Sequence, residues 1–156
     1  MEPAELLALC RSKGVTIATA ESCTGGMVGA ALTDIAGSSD VFERGFITYS
    51  NAAKIEMLGI RPETLDAHGA VSEEIAREMA EGALARSNAS LAVSITGIAG
   101  PGGSEHKPEG RVCFAIAGHG PTGAETVEFG ALGRGAVRDA AMRHALALLA
   151  ARATAA

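Results

Sequence analysis

The sequence predicts a layered α/β/α fold in a single domain, built on a mixed, mostly parallel sheet. Three observations carry this expectation. Segments with a three-to-four-residue apolar period alternate with short apolar runs of strand length, the pattern of α/β proteins. Two of those runs, 15–20 and 91–97, are predominantly apolar and uncharged, as strands covered on both faces are. Late in the chain, "RVCFAIAG" and "AETVEFG" are separated only by "HGPTG", so a hairpin adds an antiparallel component. The 156 residues are about the size of one domain.

Taken in order, Pro3 to Lys13 places Leu6, Leu7, Leu9 and Cys10 at helical spacing, and Gly14 follows as a stop. Val15 to Ala20 reads as a buried strand, and the next helix is expected to start at Ser22 or Cys23 and run to Thr33. "AGSSDVFERG" reads as a loop, "FITYS" as a strand and "NAAKIEMLGI" as a short helix opened by Ser50 or Asn51. Pro62 and Gly69 mark a linker. Ser72, followed by acids and by Ile75, Met79 and Ala83, opens a capped helix ending near Ser87. "LAVSITG" is a further strand, "IAGPGGSEHKPEG" an irregular loop, and the last helix runs from about Gly133 to Ala151. In open α/β sheets ligands bind beyond the carboxyl ends of strands. The glycine-rich turns after Ala20 and Thr96 both follow such ends, so a site is expected between them.

With 47% hydrophobic but only 3% aromatic residues, the core is expected to be Ala, Val, Ile and Leu, and base stacking is disfavoured. A net charge of -5, with no Lys/Arg cluster beyond a pair, argues against nucleic acid as partner, though not against a single phosphate. No apolar run approaches a membrane span, and the first residues lack a leader pattern; a cytoplasmic protein without membrane contact is expected. Cys10, Cys23 and Cys113 form no C-x-x-C pair, and His68, His106, His119 and His144 have no metal-ligand spacing. No metal site is expected.

The chemistry-bearing stretch is "IATAESCTGG", residues 17–26. Ser22 at a helix start is either an N-cap beside a glycine turn or a nucleophile held at the positive end of the helix dipole. A nucleophile needs a base, and Lys54 in "TYSNAAKIEML" is a candidate, because a desolvated lysine accepts a serine proton; its alternative is a solvated helix lysine. Tyr49, the one tyrosine, is either core filler or hydroxyl donor. "TGIAGPGG", residues 96–103, carries four glycines that let backbone amides approach an anion, without matching a Walker motif. Arg111 and Arg134 are candidate phosphate partners.

Together, "TIATAESCTGG", "GFITYSNAAKIEMLGI", "GAVSEEIAREMAEGA", "SITGIAGPGG", "KPEGRVCFAIA" and "VRDAAMRHALALL" resemble the CinA C-terminal domain family over nearly the whole chain. The resemblance implies that family's fold and, from members that are nicotinamide mononucleotide amidohydrolases, hydrolysis of that nucleotide's carboxamide to the acid and ammonia by a Ser-Lys arrangement, with no cofactor, in pyridine nucleotide recycling. By the same resemblance Ser22 is the nucleophile, Lys54 its general base and Tyr49 an assisting hydroxyl. Thr24, Gly25 and Gly26 shape the oxyanion or ligand side, while Thr96, Gly97, Gly100, Gly102, Gly103 and Arg134 line the nucleotide pocket. Cys23 is the rival nucleophile.

Two stretches depart from the family pattern. "ALGRGAVR" keeps Arg134 but has Gly133 where an acid is common, and "GGSEH" replaces the usual "GGGT". Longer members carry an N-terminal molybdopterin-binding-like domain, whose activity the resemblance does not extend to this chain. A non-catalytic nucleotide-binding module is the alternative reading. A two-fold homodimer is the expected assembly for a small enzyme of this kind.

Overall fold

A computed structural model describes residues 1–156. Five strands form one sheet in the order β2-β1-β3-β4-β5: β1 Ile17–Glu21, β2 Phe42–Ile47, β3 Leu91–Gly97, β4 Arg111–Ala117 and β5 Gly123–Glu128. β1 pairs in parallel with β2 and β3, whereas β4 is antiparallel to both β3 and β5. Four of the five strands therefore run the same way, and the expected mixed, mostly parallel sheet is present. Six α-helices cover it: α1 Pro3–Lys13, α2 Met27–Thr33, α3 Asn51–Leu58, α4 Pro62–His68, α5 Glu73–Ala85 and α6 Arg134–Ala155.

Strand alternation explains the layering. On β3 and β4 the odd or even set facing α1, α2 and α6 is large: Leu91, Val93, Ile95, Val112, Phe114 and Ile116 join Leu6, Leu32 and Leu149 in the principal core. The opposite face is small, with Ala92, Cys113, Ala115 and Ala117 buried against α5. Small side chains let α5 approach the sheet closely, and Ser94 Oγ donates to the Ala76 carbonyl at 2.6 Å. Ser72 caps α5 by accepting from the Ile75 amide, as its sequence predicts.

Three expectations differ from the fold. The second strand begins at Phe42, four residues before "FITYS", because Phe42 pairs with Ile17; its charged "ERG" is tolerated on an edge strand whose outer side meets solvent. The stretch expected as a linker is α4, with Pro62 in its first turn and Gly69 as its cap. The helix expected from Ser22 begins only at Met27, because Gly25 (φ 57°) and Gly26 (φ 105°) hold the chain in left-handed conformations.

Candidate active site

Glu21, the last residue of β1, pairs with Ile47 on one side and Ile95 on the other. Ser22 and Thr48, the first residues beyond β1 and β2, thus lie in one row with Thr96 near the end of β3, at the carboxyl ends of three parallel strands. A cleft of about 320 Å³ opens there, lined among others by Ser22, Tyr49, Lys54, Thr96, Gly100 and Arg134. It lies between the two glycine-rich turns, where the strand order leads one to expect it.

The turn 22–26 is built by Glu21. Its buried carboxylate accepts from the amides of Gly26 (3.2 Å), Val28 (2.9 Å) and Gly29 (3.0 Å), which otherwise stand free at the start of α2. The capping acceptor is thus an acid from the preceding strand. Ser22 does not cap: its amide donates to the Ile95 carbonyl at 3.0 Å, and its hydroxyl faces Lys54. From the other side, Arg138 of α6 donates from Nε to the Cys23 carbonyl at 3.0 Å and from Nη2 to the Thr24 carbonyl at 3.3 Å.

Lys54 is positioned by α3, which Ser50 caps by accepting from the Ala53 amide. The lysine is only 2% exposed and is not a solvated helix lysine. Its Nζ lies 3.2 Å from Ser22 Oγ, 3.1 Å from the Thr48 carbonyl and 3.4 Å from the Tyr49 carbonyl. Burial pushes the Lys54 amine below the usual lysine range, against a smaller opposing pull from the Glu105 carboxylate. Nζ donates to Ser22 Oγ and to both carbonyls; on loss of one proton, two N–H donors serve the carbonyls and a lone pair faces the Ser22 hydroxyl. Burial also pushes the Cys23 thiol up to about 11, so the neighbouring cysteine is a thiol at neutral pH.

Tyr49 is exposed and is not core filler; its hydroxyl accepts from Arg134 Nη2 at 2.6 Å, while Arg134 Nη1 donates to the Gly100 carbonyl at 2.7 Å. Arg134 so bridges the tyrosine to the loop 98–110 across the cleft mouth. Gly97, closing β3, and Gly100, Gly102 and Gly103 of that loop line the cleft; a side chain on Gly103 would run into the Lys107 carbonyl, and one on Gly100 into Glu109. The Thr96 hydroxyl is occupied by the Ala70 carbonyl at 2.8 Å. Thr24, Gly25 and Gly26, the second half of the turn, are outside the cleft lining. Arg111 is also outside it, paired with Glu128 at 2.6 Å in a separate surface depression. Asn51, read only as a helix opener, and Glu105, read only as part of the departure "GGSEH", also line the cleft. Glu21 carried a sequence signal: an acid closing an apolar strand is a buried charge in need of donors.

The sequence matches the CinA C-terminal domain over residues 2–153. The chain belongs to the CinA C-terminal domain family. It is 56% identical over 140 residues to the nicotinamide-nucleotide amidohydrolase PncC of Escherichia coli, covering 89% of this chain and 85% of that protein. A CinA-like protein of Chlorobaculum tepidum is 55% identical over 121 residues, but the match covers 77% of this chain and only 29% of that longer protein. A solved competence-damaged protein (CinA) superfamily structure from Escherichia coli superposes with a TM-score of 0.91 at 35% identity, covering 96% of this chain and 87% of that one.

Proposed function

We propose that this chain hydrolyses the carboxamide of nicotinamide mononucleotide, giving nicotinic acid mononucleotide and ammonia, by a Ser22-Lys54 mechanism. The observation that carries the reading is the 3.2 Å approach of a buried Lys54 amine to a Ser22 hydroxyl that no capping role engages. The name of the Escherichia coli relative, a nicotinamide-nucleotide amidohydrolase, supplies the substrate class.

In this reading neutral Lys54 takes the Ser22 proton as Oγ attacks the carboxamide carbon. The tetrahedral oxyanion is held by donors at the turn, of which the Cys23 amide, with no acceptor inside the protein, is the nearest in sequence. Lys54 then returns the proton to the departing nitrogen, ammonia leaves, and water attacks the Ser22 ester with Lys54 again as base. Tyr49 and Arg134 face the substrate from the cleft mouth, and Thr96 to Gly103 receive the nucleotide phosphate on their backbone. Thr24, Gly25 and Gly26 support the oxyanion side from behind. No metal or redox cofactor takes part in these steps.

The reading includes a place in pyridine nucleotide recycling, in the cytoplasm, as a homodimer. The buried, unpaired state of all three cysteines fits a reducing compartment, and no helix is long and apolar enough to cross a membrane. Ammonia release from nicotinamide mononucleotide tests the core of it. Wild type and Cys23→Ala are expected to be active, whereas Ser22→Ala and Lys54→Ala lose about 10³-fold or more. A folded wild type that binds the nucleotide, raising its melting temperature, but releases no ammonia would make the chain a binding module instead.

A further inference from the structure

We infer that Arg138 is a positioning residue for the nucleophile, acting through the backbone of the turn that carries Ser22; the inference rests on the Ser22-Lys54 reading and deepens it. Arg138 is half-buried on α6 and does not line the cleft, so it has no direct access to the substrate. Its contacts are instead with the two carbonyls that follow Ser22 in the chain, Cys23 at 3.0 Å and Thr24 at 3.3 Å.

The turn needs such a clamp. Two successive left-handed glycines, Gly25 and Gly26, make its backbone easy to rearrange, and the bonds it makes for itself are Gly25 N–H to the Ser22 carbonyl and Met27 N–H to the Thr24 carbonyl. Glu21 grips the amides on the helix side. The Cys23 carbonyl has no partner except Arg138, so the arginine alone sets the peptide plane immediately after the Ser22-Cys23 unit. Gly25 completes the fit, since a Cβ there would stand 3.3 Å from Arg138 Nη2. Arg138 and Glu21 thus hold the turn from opposite sides, one by its carbonyls and one by its amides, and the held turn aims Ser22 Oγ at Lys54 Nζ. A planar guanidinium makes both bonds at once, which a lysine ammonium at the same position does not.

One turn earlier on the same helix, Arg134 joins Tyr49 and the Gly100 carbonyl. The first two turns of α6 therefore organise both walls of the cleft, with different expected kinetic signatures. A residue on the cleft wall changes substrate affinity, whereas a residue behind the nucleophile changes the rate of attack at constant affinity.

The test compares wild type, Arg138→Met and Arg138→Lys by steady-state ammonia release from nicotinamide mononucleotide and by the rate at which a fluorophosphonate labels Ser22. In the labelling Lys54 takes the Ser22 hydroxyl proton, the Oγ–P bond forms, P–F breaks and fluoride leaves, with no nucleotide pocket involved; Ser22→Ala is the blank. Both variants are expected to fall about 10- to 100-fold in kcat and in labelling rate, with KM within about threefold of wild type. Arg138→Lys keeps the charge and the aliphatic stem, and carries the test if Arg138→Met fails to fold. Wild-type labelling rates in the folded variants, or a raised KM at unchanged kcat, would overturn the positioning role. A wild type that is labelled at Ser22 but releases no ammonia overturns the substrate assignment and leaves the variants' labelling rates to decide the positioning role; a wild type not labelled at all overturns both.

Discussion

Lys54 Nζ stands 3.2 Å from Ser22 Oγ across a separation of 32 residues in the chain. The contact exists because Ser22 and Thr48 leave adjacent parallel strands in register, and because α3, capped by Ser50, turns Lys54 back beneath the strand ends. The same return buries the amine among two backbone carbonyls and shields it from water. The geometry thus ties the proposed nucleophile, its proposed base and the depressed basicity to one structural feature, the connection from β2 into α3.

That burial sets a pH dependence. In the proposed mechanism Lys54 acts unprotonated, so kcat/KM is expected to rise with pH along a single ascending limb, with its midpoint below the ordinary lysine value because burial disfavours the ammonium. Stability follows the same sign. A lysine whose folded-state pKa is lowered leaves the unfolded chain binding more protons between the folded and unfolded values, so stability rises with pH through that window and is lost as pH falls through the folded pKa. Wild type should gain melting temperature relative to Lys54→Met as pH is raised from 7 toward 10. A difference that is flat or shrinks over that range would mean the amine is not desolvated.

Glu21 is expected to be the strongest single anchor of the turn. Glu21→Ala removes the acceptor of three buried amides and should lower stability by about 3 kcal/mol, measured as a shift in urea midpoint at constant slope. Glu21→Gln retains one acceptor oxygen but points an N–H₂ at amide donors, and should fall between Ala and wild type. Equality of Glu21→Ala with wild type would show that α2 does not depend on this cap.

Arg134→Ala removes the bridge from the Tyr49 hydroxyl to the Gly100 carbonyl. The expected result is a rise in KM for nicotinamide mononucleotide of about tenfold or more, with kcat reduced less, because the loop and tyrosine lose alignment while Ser22 and Lys54 remain in contact. Ammonia-release kinetics over a range of substrate concentrations check it; an unchanged KM would place substrate recognition elsewhere in the cleft.

Gly82 provides a test of packing with an inverted sign. In an exposed helix interior, Gly→Ala stabilises by roughly 0.5–1 kcal/mol. Gly82 faces the end of α3, where an added Cβ would run into the backbone carbonyl of Leu58. Gly82→Ala is therefore expected to destabilise by about 2 kcal/mol or more and to lower activity with it, since α3 carries Lys54. Thermal melts of the variant decide the sign.

Much of this molecule is determined locally and so can be read from the sequence. Pro3 and Gly14 bound α1, Ser72 caps α5, and Leu91–Gly97 is a strand because each carries its own chemical signal within a few residues. The ordered motifs from "TIATAESCTGG" to "VRDAAMRHALALL" also carry the family, and with it the expectation that Ser22, Tyr49 and Lys54 belong together. What tertiary structure alone decided is which donor meets which acceptor. Phe42 begins a strand only because Ile17 lies beside it, and Ser22 is released from capping only because Glu21 takes those amides. Arg138, lying 115 residues from Cys23, finds its carbonyl only when α6 packs over α2. Periodicity and caps are short-range, whereas burial of Lys54 and the grip on the Ser22 turn arise from contacts between segments distant in the chain, which no local pattern encodes.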